Sequence, residues 1–206
     1  MNLELPKIYP ITDARLSKIS HVEQVEKLIE GGAKFIQLRE KYASAREFYK
    51  SAESALKIAR KHNVKIIIND RVDVALALKA DGVHLGQDDL PPAEARKILG
   101  EKAIIGFSTH NIEQAIAAVR MPIDYLAIGP IYATETKENP DAIVGLEGLR
   151  KVREATGNFP LVAIGGINSE NFREVYDAGA NSAAIISNLI SEAYKISENY
   201  KLFSSR

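Results

Sequence analysis

Apolar residues in this chain come in two alternating forms: short continuous runs rich in Ile and Val, and longer stretches in which apolar positions recur at helical spacing. Ile66-Ile67-Ile68 is the plainest run, β-branched and uninterrupted as in a strand buried on both faces of a parallel sheet. It stops at Asn69-Asp70. A helical stretch, Val74 to Leu78, then runs on to Lys79-Ala80-Asp81-Gly82, and a second run, Val83-His84-Leu85, stops at Gly86-Gln87-Asp88-Asp89. The unit is strand, helix, strand, with polar side chains gathered at the carboxyl end of each strand. Parallel sheets keep their ligand sites there.

The same alternation fills the rest of the chain. Ile8–Thr12, Phe35–Leu38, Ala103–Phe107, Tyr125–Gly129, Pro160–Ile164 and Ala183–Ile186 predict six further strands. Ser20-His21-Val22-Glu23 and Ser44-x-x-Glu47 are capping boxes that open helices, the second reaching about Lys61. Pro91-Pro92 allows a helix toward Leu99, Asn111-x-x-Gln114 caps the next, and another spans about Leu146 to Ala155. Asn168-x-x-Asn171 opens one more, and a last helix runs to about Lys195. Eight strands, each followed by a helix, predict a (β/α)8 TIM barrel in a single domain, residues 1–206, near the lower size limit of that fold at about 200 residues. A doubly wound open sheet would want a Gly-rich first turn, and Thr12-Asp13-Ala14-Arg15 has no glycine.

With 46% hydrophobic residues in 206, one substantial core can be buried. Basic and acidic residues balance at 27 each with no block of like charge, so the chain lacks the footprint of a nucleic-acid or anionic-membrane binder. An anion must therefore be met by a local cluster. There is no cysteine, which removes disulfides, thiolate nucleophiles and Cys-based zinc sites. Met1 to Pro6 has neither a basic n-region nor an apolar h-region, and no run reaches the ~18 apolar residues of a membrane span. A cytoplasmic location is expected.

In a barrel, one rim gathers Arg39, Lys41, Asn69, Asp70, Asp88, Asp89, Ser108, Thr134, Thr136, Lys137, Gly165, Gly166 and Ser187. Singly, the acids read as helix caps and the lysines as solvated loop charges. Together on one rim they read as an anion site with one metal. Aspartates at adjacent strand ends, without Cys, suit a hard ion such as Mg²⁺. Residue type and position leave Asp88 and Asp89 as equal candidates beside Asp70. His84 lies within its strand, which favours a hydrogen-bonding role over metal ligation. Gly165-Gly166 and Ile186-Ser187 end the seventh and eighth strands, the usual phosphate site of this fold. Arg39, Lys41 and Lys137 are left for a second, more highly charged group. Two phosphorylated small molecules, or one carrying phosphate at both ends, are the implied substrates.

These residues resemble the thiamine phosphate synthase family over nearly the whole chain. The match is carried by Gln37-Leu38-Arg39-Glu40-Lys41, Ile68-Asn69-Asp70, Gly82 to Asp89, Gly106-Phe107-Ser108, Gly129-Pro130-Ile131 with Thr134-Glu135-Thr136-Lys137, and Ala163 to Ile167. The resemblance implies joining of 4-amino-5-hydroxymethyl-2-methylpyrimidine diphosphate to a thiazole phosphate, with release of pyrophosphate. It assigns Gln37, Leu38, Arg39, Glu40, Lys41, Asn69, Ser108 and Lys137 to the pyrimidine diphosphate, and Asp70 and Asp89 to Mg²⁺. Thr134, Glu135, Thr136, Gly166, Ile186 and Ser187 go to the thiazole phosphate. Arg39, Lys41, Ser108 and Lys137 are the expected catalytic residues, and homo-oligomer formation is left open. Ala133 stands where the family often has proline, and Tyr42-Ala43 where a small or Gly-rich pair is common. The competing readings are the thiazole tautomerase branch, which would use His110 as its acid or base, and a non-catalytic sensor of phosphorylated ligands.

Overall fold

The computed structural model describes residues 3–134 and 141–205. Its strands are β1 (Ile8–Thr12), β2 (Phe35–Leu38), β3 (Lys65–Asn69), β4 (Gly82–Leu85), β5 (Ile104–Thr109), β6 (Tyr125–Ile128), β7 (Leu161–Ile164) and β8 (Ser182–Ile185). All pair in parallel in sequence order, and β8 returns to β1 through Ile8↔Ala183 and Pro10↔Ile185, so the barrel is closed. Among the described residues the helices are α1 (Ala14–Ser17), α2 (His21–Gly31), α3 (Ala45–Lys61), α4 (Val72–Leu78), α5 (Pro92–Leu99), α6 (Ile112–Ala118), α7 (Gly145–Thr156), α8 (Phe172–Asp177), α9 (Ser187–Ile190) and α10 (Ile196–Ser204). Both capping boxes form, Ser20 with Glu23 and Ser44 with Glu47. None of these helices is long and apolar enough to cross a membrane.

Alternation along each strand separates two cores. Ile36, Ile66, Ile68, Val83, Ile105, Leu126 and Leu161 point outward and pack beneath the helices. Tyr9, Ile11, Phe35, Ile67, Tyr125, Ala127, Val162 and Ala184 point inward and fill the barrel.

Three boundaries differ from the sequence reading, each for a local reason. β5 runs on through Ser108 and Thr109, because these pair with Ala127 and Ile128, so Ser108 is an inward strand residue rather than a loop residue. Asn168 does not open a helix: its side-chain oxygen accepts from the N–H groups of Glu170 and Asn171 in a turn, and α8 starts only at Phe172. The chain also does not end its last helix at Lys195. After the short α9, a 3-10 turn at Ala193–Lys195 leads into α10, which buries Ile196, Tyr200 and Phe203.

Gly106 is where the inward side chains set a backbone requirement. A methyl at this position would lie 2.0 Å from Cζ of Tyr125 and 2.3 Å from its hydroxyl. Gly106→Ala is therefore expected to cost about 1–3 kcal/mol in urea unfolding, the usual penalty of overpacking. Adding Tyr125→Ala should recover part of that loss. Strictly additive losses in the double variant would mean that the methyl finds room without moving the ring.

Candidate active site

The carboxyl ends of the strands open into a cavity of about 530 Å³, a size suited to a small molecule. Gln37, Arg39 and Lys41 reach it, whereas Leu38 and Glu40 do not. Strand alternation is the reason: Leu38 packs outward in the helix-side core. Glu40 turns back, accepting from the N–H groups of Tyr42 at 2.8 Å and Ala43 at 3.1 Å, with His21 Nε2 at 3.2 Å. Burial works against its charge, but those donors hold its carboxyl below the usual range. Glu40 thus shapes the loop that carries Lys41.

Arg39 and Lys41, the described cations of this wall, each have a carboxylate beside them. Arg39 Nη1 donates to Asp13 Oδ2 at 2.6 Å, and Asp13 caps α1 by accepting from Leu16 N–H at 3.0 Å. Lys41 Nζ donates to Asp70. Asp70 sits just past β3 with a left-handed φ of 60°, and its N–H is fixed on the carbonyl of His84 at 2.8 Å. Asp89 Oδ2 accepts from Gly86 N–H at 2.6 Å. Burial pushes the Asp89 carboxyl above its ordinary range, and the charge of Asp70 and a hydrogen bond shared with it push the same way. Asp89 is the acid set against Asp70, which the sequence pattern left undecided between Asp88 and Asp89.

Two apposed carboxyl groups whose charges oppose one another fit a hard divalent cation, whose charge would relieve that opposition. Among the described residues no group of three or more His, Cys, Asp or Glu could hold a metal. Mg²⁺ needs only one or two carboxylates, since it keeps water and substrate oxygens in its shell. Beside the pair, Asn69 Nδ2 is buried and is the one such side-chain atom among the described residues without a hydrogen-bond partner. An orphaned donor on a cavity wall is placed for an acceptor on a ligand.

The opposite wall is built from backbone. Gly165 and Gly166 follow β7 with φ of 100° and 66°, in the left-handed region that favours glycine. A methyl on Gly166 would lie 2.5 Å from the Ala133 carbonyl. Thr134, Ile186 and Ser187 line the same wall. Glu135, Thr136 and Lys137 lie outside the described residues. His110 lines the mouth with Nδ1 on the Gly129 carbonyl at 2.7 Å and 3.4 Å from Asp141.

A line of polar groups inside the barrel escaped the sequence reading. Ser108 Oγ meets His84 Nε2 at 2.8 Å, His84 Nδ1 meets the Tyr125 hydroxyl at 2.9 Å, and Tyr125 meets the Tyr9 hydroxyl at 2.9 Å. Gln37 Nε2 donates to Tyr9 at 3.0 Å. The available signal was inward-facing tyrosine in β1 and β6, with Gly106 opposite as the space for one ring. Burial raises both phenols and lowers His84 to about 4.

The folded His84 therefore binds its proton less well than the unfolded chain, whose value is 6.5. Between pH 6.5 and about 4 the unfolded state holds the extra proton, so stability falls as pH is lowered through this window. At pH 5 the loss from this group is about 2 kcal/mol. His21, also lowered by burial, adds to the same slope. Urea unfolding at pH 7 and pH 5 should give a smaller pH difference for His84→Asn than for the unaltered chain; equal differences would contradict the burial argument.

The fold and site can be set against known proteins. The family profile described as thiamine monophosphate synthase matches residues 8–189. A thiamine-phosphate synthase of Chloroflexus aurantiacus is 47% identical over 185 residues, covering 89% of this chain and 85% of its own. One from Koribacter versatilis is 47% identical over 195 residues, covering 91% and 90%. The solved thiamine phosphate pyrophosphorylase of Pyrococcus furiosus superposes with a TM-score of 0.86 at 39% identity, covering 97% of this chain and 94% of that one. With a profile match over most of its length and relatives at this identity, the chain belongs to the thiamine monophosphate synthase family.

Proposed function

We infer that this protein joins 4-amino-5-hydroxymethyl-2-methylpyrimidine diphosphate to a thiazole phosphate, forming thiamine monophosphate and pyrophosphate. The observation that carries the reading is one cavity with two unlike walls: Arg39, Lys41, Asn69 and the Asp70–Asp89 pair on one side, Gly165, Gly166 and Ser187 on the other. The first wall suits a diphosphate and the second a monophosphate. In the reaction, the bond between the pyrimidine methylene and the diphosphate oxygen breaks, its electron pair leaving on pyrophosphate. The thiazole nitrogen supplies the pair for the new carbon–nitrogen bond, and no proton needs to move.

The chain's task is accordingly to neutralise the leaving group and to hold the two molecules in line. One cation ~4 Å from a phosphoryl oxygen contributes about 4 kcal/mol at an effective dielectric of 20, before desolvation. Arg39 and Lys41 supply two such cations, and Lys137, by family resemblance, a third. Asn69 Nδ2 gains the acceptor it lacks within the protein. Asp70 and Asp89 would hold Mg²⁺, which supplies further positive charge to the diphosphate. Ser108 donates from the cavity floor. Gly165 and Gly166 let the thiazole phosphate approach the backbone closely. No nucleophile or general base is required. A tautomerase would need His110 as its acid or base and would have no use for the carboxylate pair or for Arg39 and Lys41.

Incubating the protein with both substrates and Mg²⁺ should yield thiamine monophosphate and pyrophosphate in equal amounts, read by chromatography and a coupled phosphate assay. Excess chelator should stop turnover and added Mg²⁺ restore it, while Asp89→Ala should lose metal-dependent diphosphate binding with little change in thermal midpoint. Full activity in chelator would remove the metal from the reading. In the pyrophosphate-release assay, Arg39→Ala should lose at least about a hundredfold in kcat/KM, and His110→Ala should stay within about threefold. The reverse ranking would favour the tautomerase.

A further inference from the structure

Two buried polar side chains of α2 have no role in the reaction described above. His21 and Gln24 are 2% and 0% exposed and, three residues apart, share one face of the helix. The rest of that face, Val25 and Leu28, is apolar core, where a polar group costs stability unless it is paired. The pairs these two make lead to the cations of one cavity wall. Gln24 Oε1 accepts from the N–H of Asp13 at 3.0 Å, while its Nε2 donates to the carbonyl of Ile19 at 3.1 Å. Its amide cannot turn without setting oxygen against that carbonyl. Asp13 is thereby held at its backbone, and its carboxylate takes Arg39 at 2.6 Å.

His21 reaches the other cation through the loop after β2. Burial holds its imidazole below the ordinary value of 6.5, so at pH 7 the ring carries one proton. Glu40 Oε2 lies 3.2 Å from Nε2 and, as a carboxylate, can only accept, which places that proton on Nε2. Nδ1 is then the acceptor for the Thr12 hydroxyl at 2.7 Å, and the Thr12 oxygen accepts from the N–H of Arg39 at 3.4 Å. The second oxygen of Glu40 takes the N–H groups of Tyr42 and Ala43. One ring therefore joins the two ends of residues 39–43, whose middle member is Lys41. With that wall read as the diphosphate's, we propose that His21 and Gln24 are positioning residues for it, His21 setting where the loop presents Lys41 and Gln24 setting where Asp13 presents Arg39.

The test is calorimetric titration of pyrophosphate and, separately, of thiazole phosphate, both with saturating Mg²⁺. The proteins are the unaltered chain, His21→Asn, His21→Gln and Gln24→Met. Asparagine can replace Nδ1 toward Thr12 but is too short for Glu40, whereas glutamine can replace Nε2 toward Glu40. Pyrophosphate affinity should fall about tenfold or more in His21→Asn and Gln24→Met, and stay within about threefold in His21→Gln. Thiazole phosphate affinity should change less than about twofold in all three, because Gly165 and Gly166 are held from elsewhere, by the Tyr132 N–H and Asn171 Nδ2. Unchanged pyrophosphate affinity in His21→Asn and Gln24→Met overturns the proposal, and so does an equal loss of both anions, which would make the two residues general supports of the fold. Amide hydrogen exchange without ligand gives a second readout: Tyr42 and Ala43 should exchange about tenfold faster in His21→Asn than in the unaltered chain, and unchanged exchange overturns the role of His21. Were the substrate reading itself wrong, pyrophosphate would not bind the unaltered protein, and the exchange rates would still show whether His21 holds the loop.

Discussion

The hydrogen bond between the hydroxyls of Tyr9 and Tyr125, 2.9 Å long, ties opposite parts of the barrel together in a place where water cannot replace it. An eight-stranded parallel barrel is just wide enough for its own side chains. Here the lower interior is filled by Phe35, Ile67 and Val162, but β1 and β6 each add a phenol whose oxygen must be satisfied inside. The two phenols satisfy each other, and His84 and Gln37 close the remaining valences. That solution needs room for a ring, which Gly106 provides by having no side chain. Its two ends, Gln37 and Ser108, line the cavity. Packing inside the barrel and the chemistry of its mouth are parts of one constraint.

Above that floor the site is electrostatic. The chain carries no net charge, so the cations at the mouth act locally and are held in place by acids. Arg39 on Asp13 is mostly buried, with side-chain exposures of 14% and 10%, while Lys41 on Asp70 is more open at 43% and 20%. The first pair is a fixed feature of the wall. The second is weaker because solvent screens it, which leaves Lys41 free to move to a better anion. Asp13, absent from the expected site residues, and Glu40, expected there as a substrate contact, orient the two cations: one by direct contact, the other by shaping the loop that follows β2.

Much of this was legible in the sequence. The β-branched runs and capping boxes gave all eight strands and the main helices, because buried parallel strands and N-caps write themselves in local composition. The rim residues were legible as well, since a strand's end is visible where an apolar run stops. Side-chain direction was less so: Leu38 and Glu40 lie within the same motif as Gln37 and Arg39, but Leu38 packs outward from β2 and Glu40 turns back onto the N–H groups of Tyr42 and Ala43. The Tyr9–Tyr125–His84 line was not legible, because its members lie 41 and 116 residues apart and meet only once the barrel closes. Asp88 and Asp89 both line the cavity, and the contacts of Asp89 with the Gly86 N–H and with Asp70 arise only once the turn after β4 has folded.

The central claim is that one cavity holds a diphosphate and a monophosphate at the same time, on different walls. Calorimetric titration of thiazole phosphate into the protein, alone and then with saturating Mg²⁺ and pyrophosphate, tests it directly. The account predicts one thiazole phosphate per chain in both titrations, with affinities within about threefold of each other, since neither anion takes the other's wall. Mutual exclusion, with thiazole phosphate binding abolished by pyrophosphate, would contradict it.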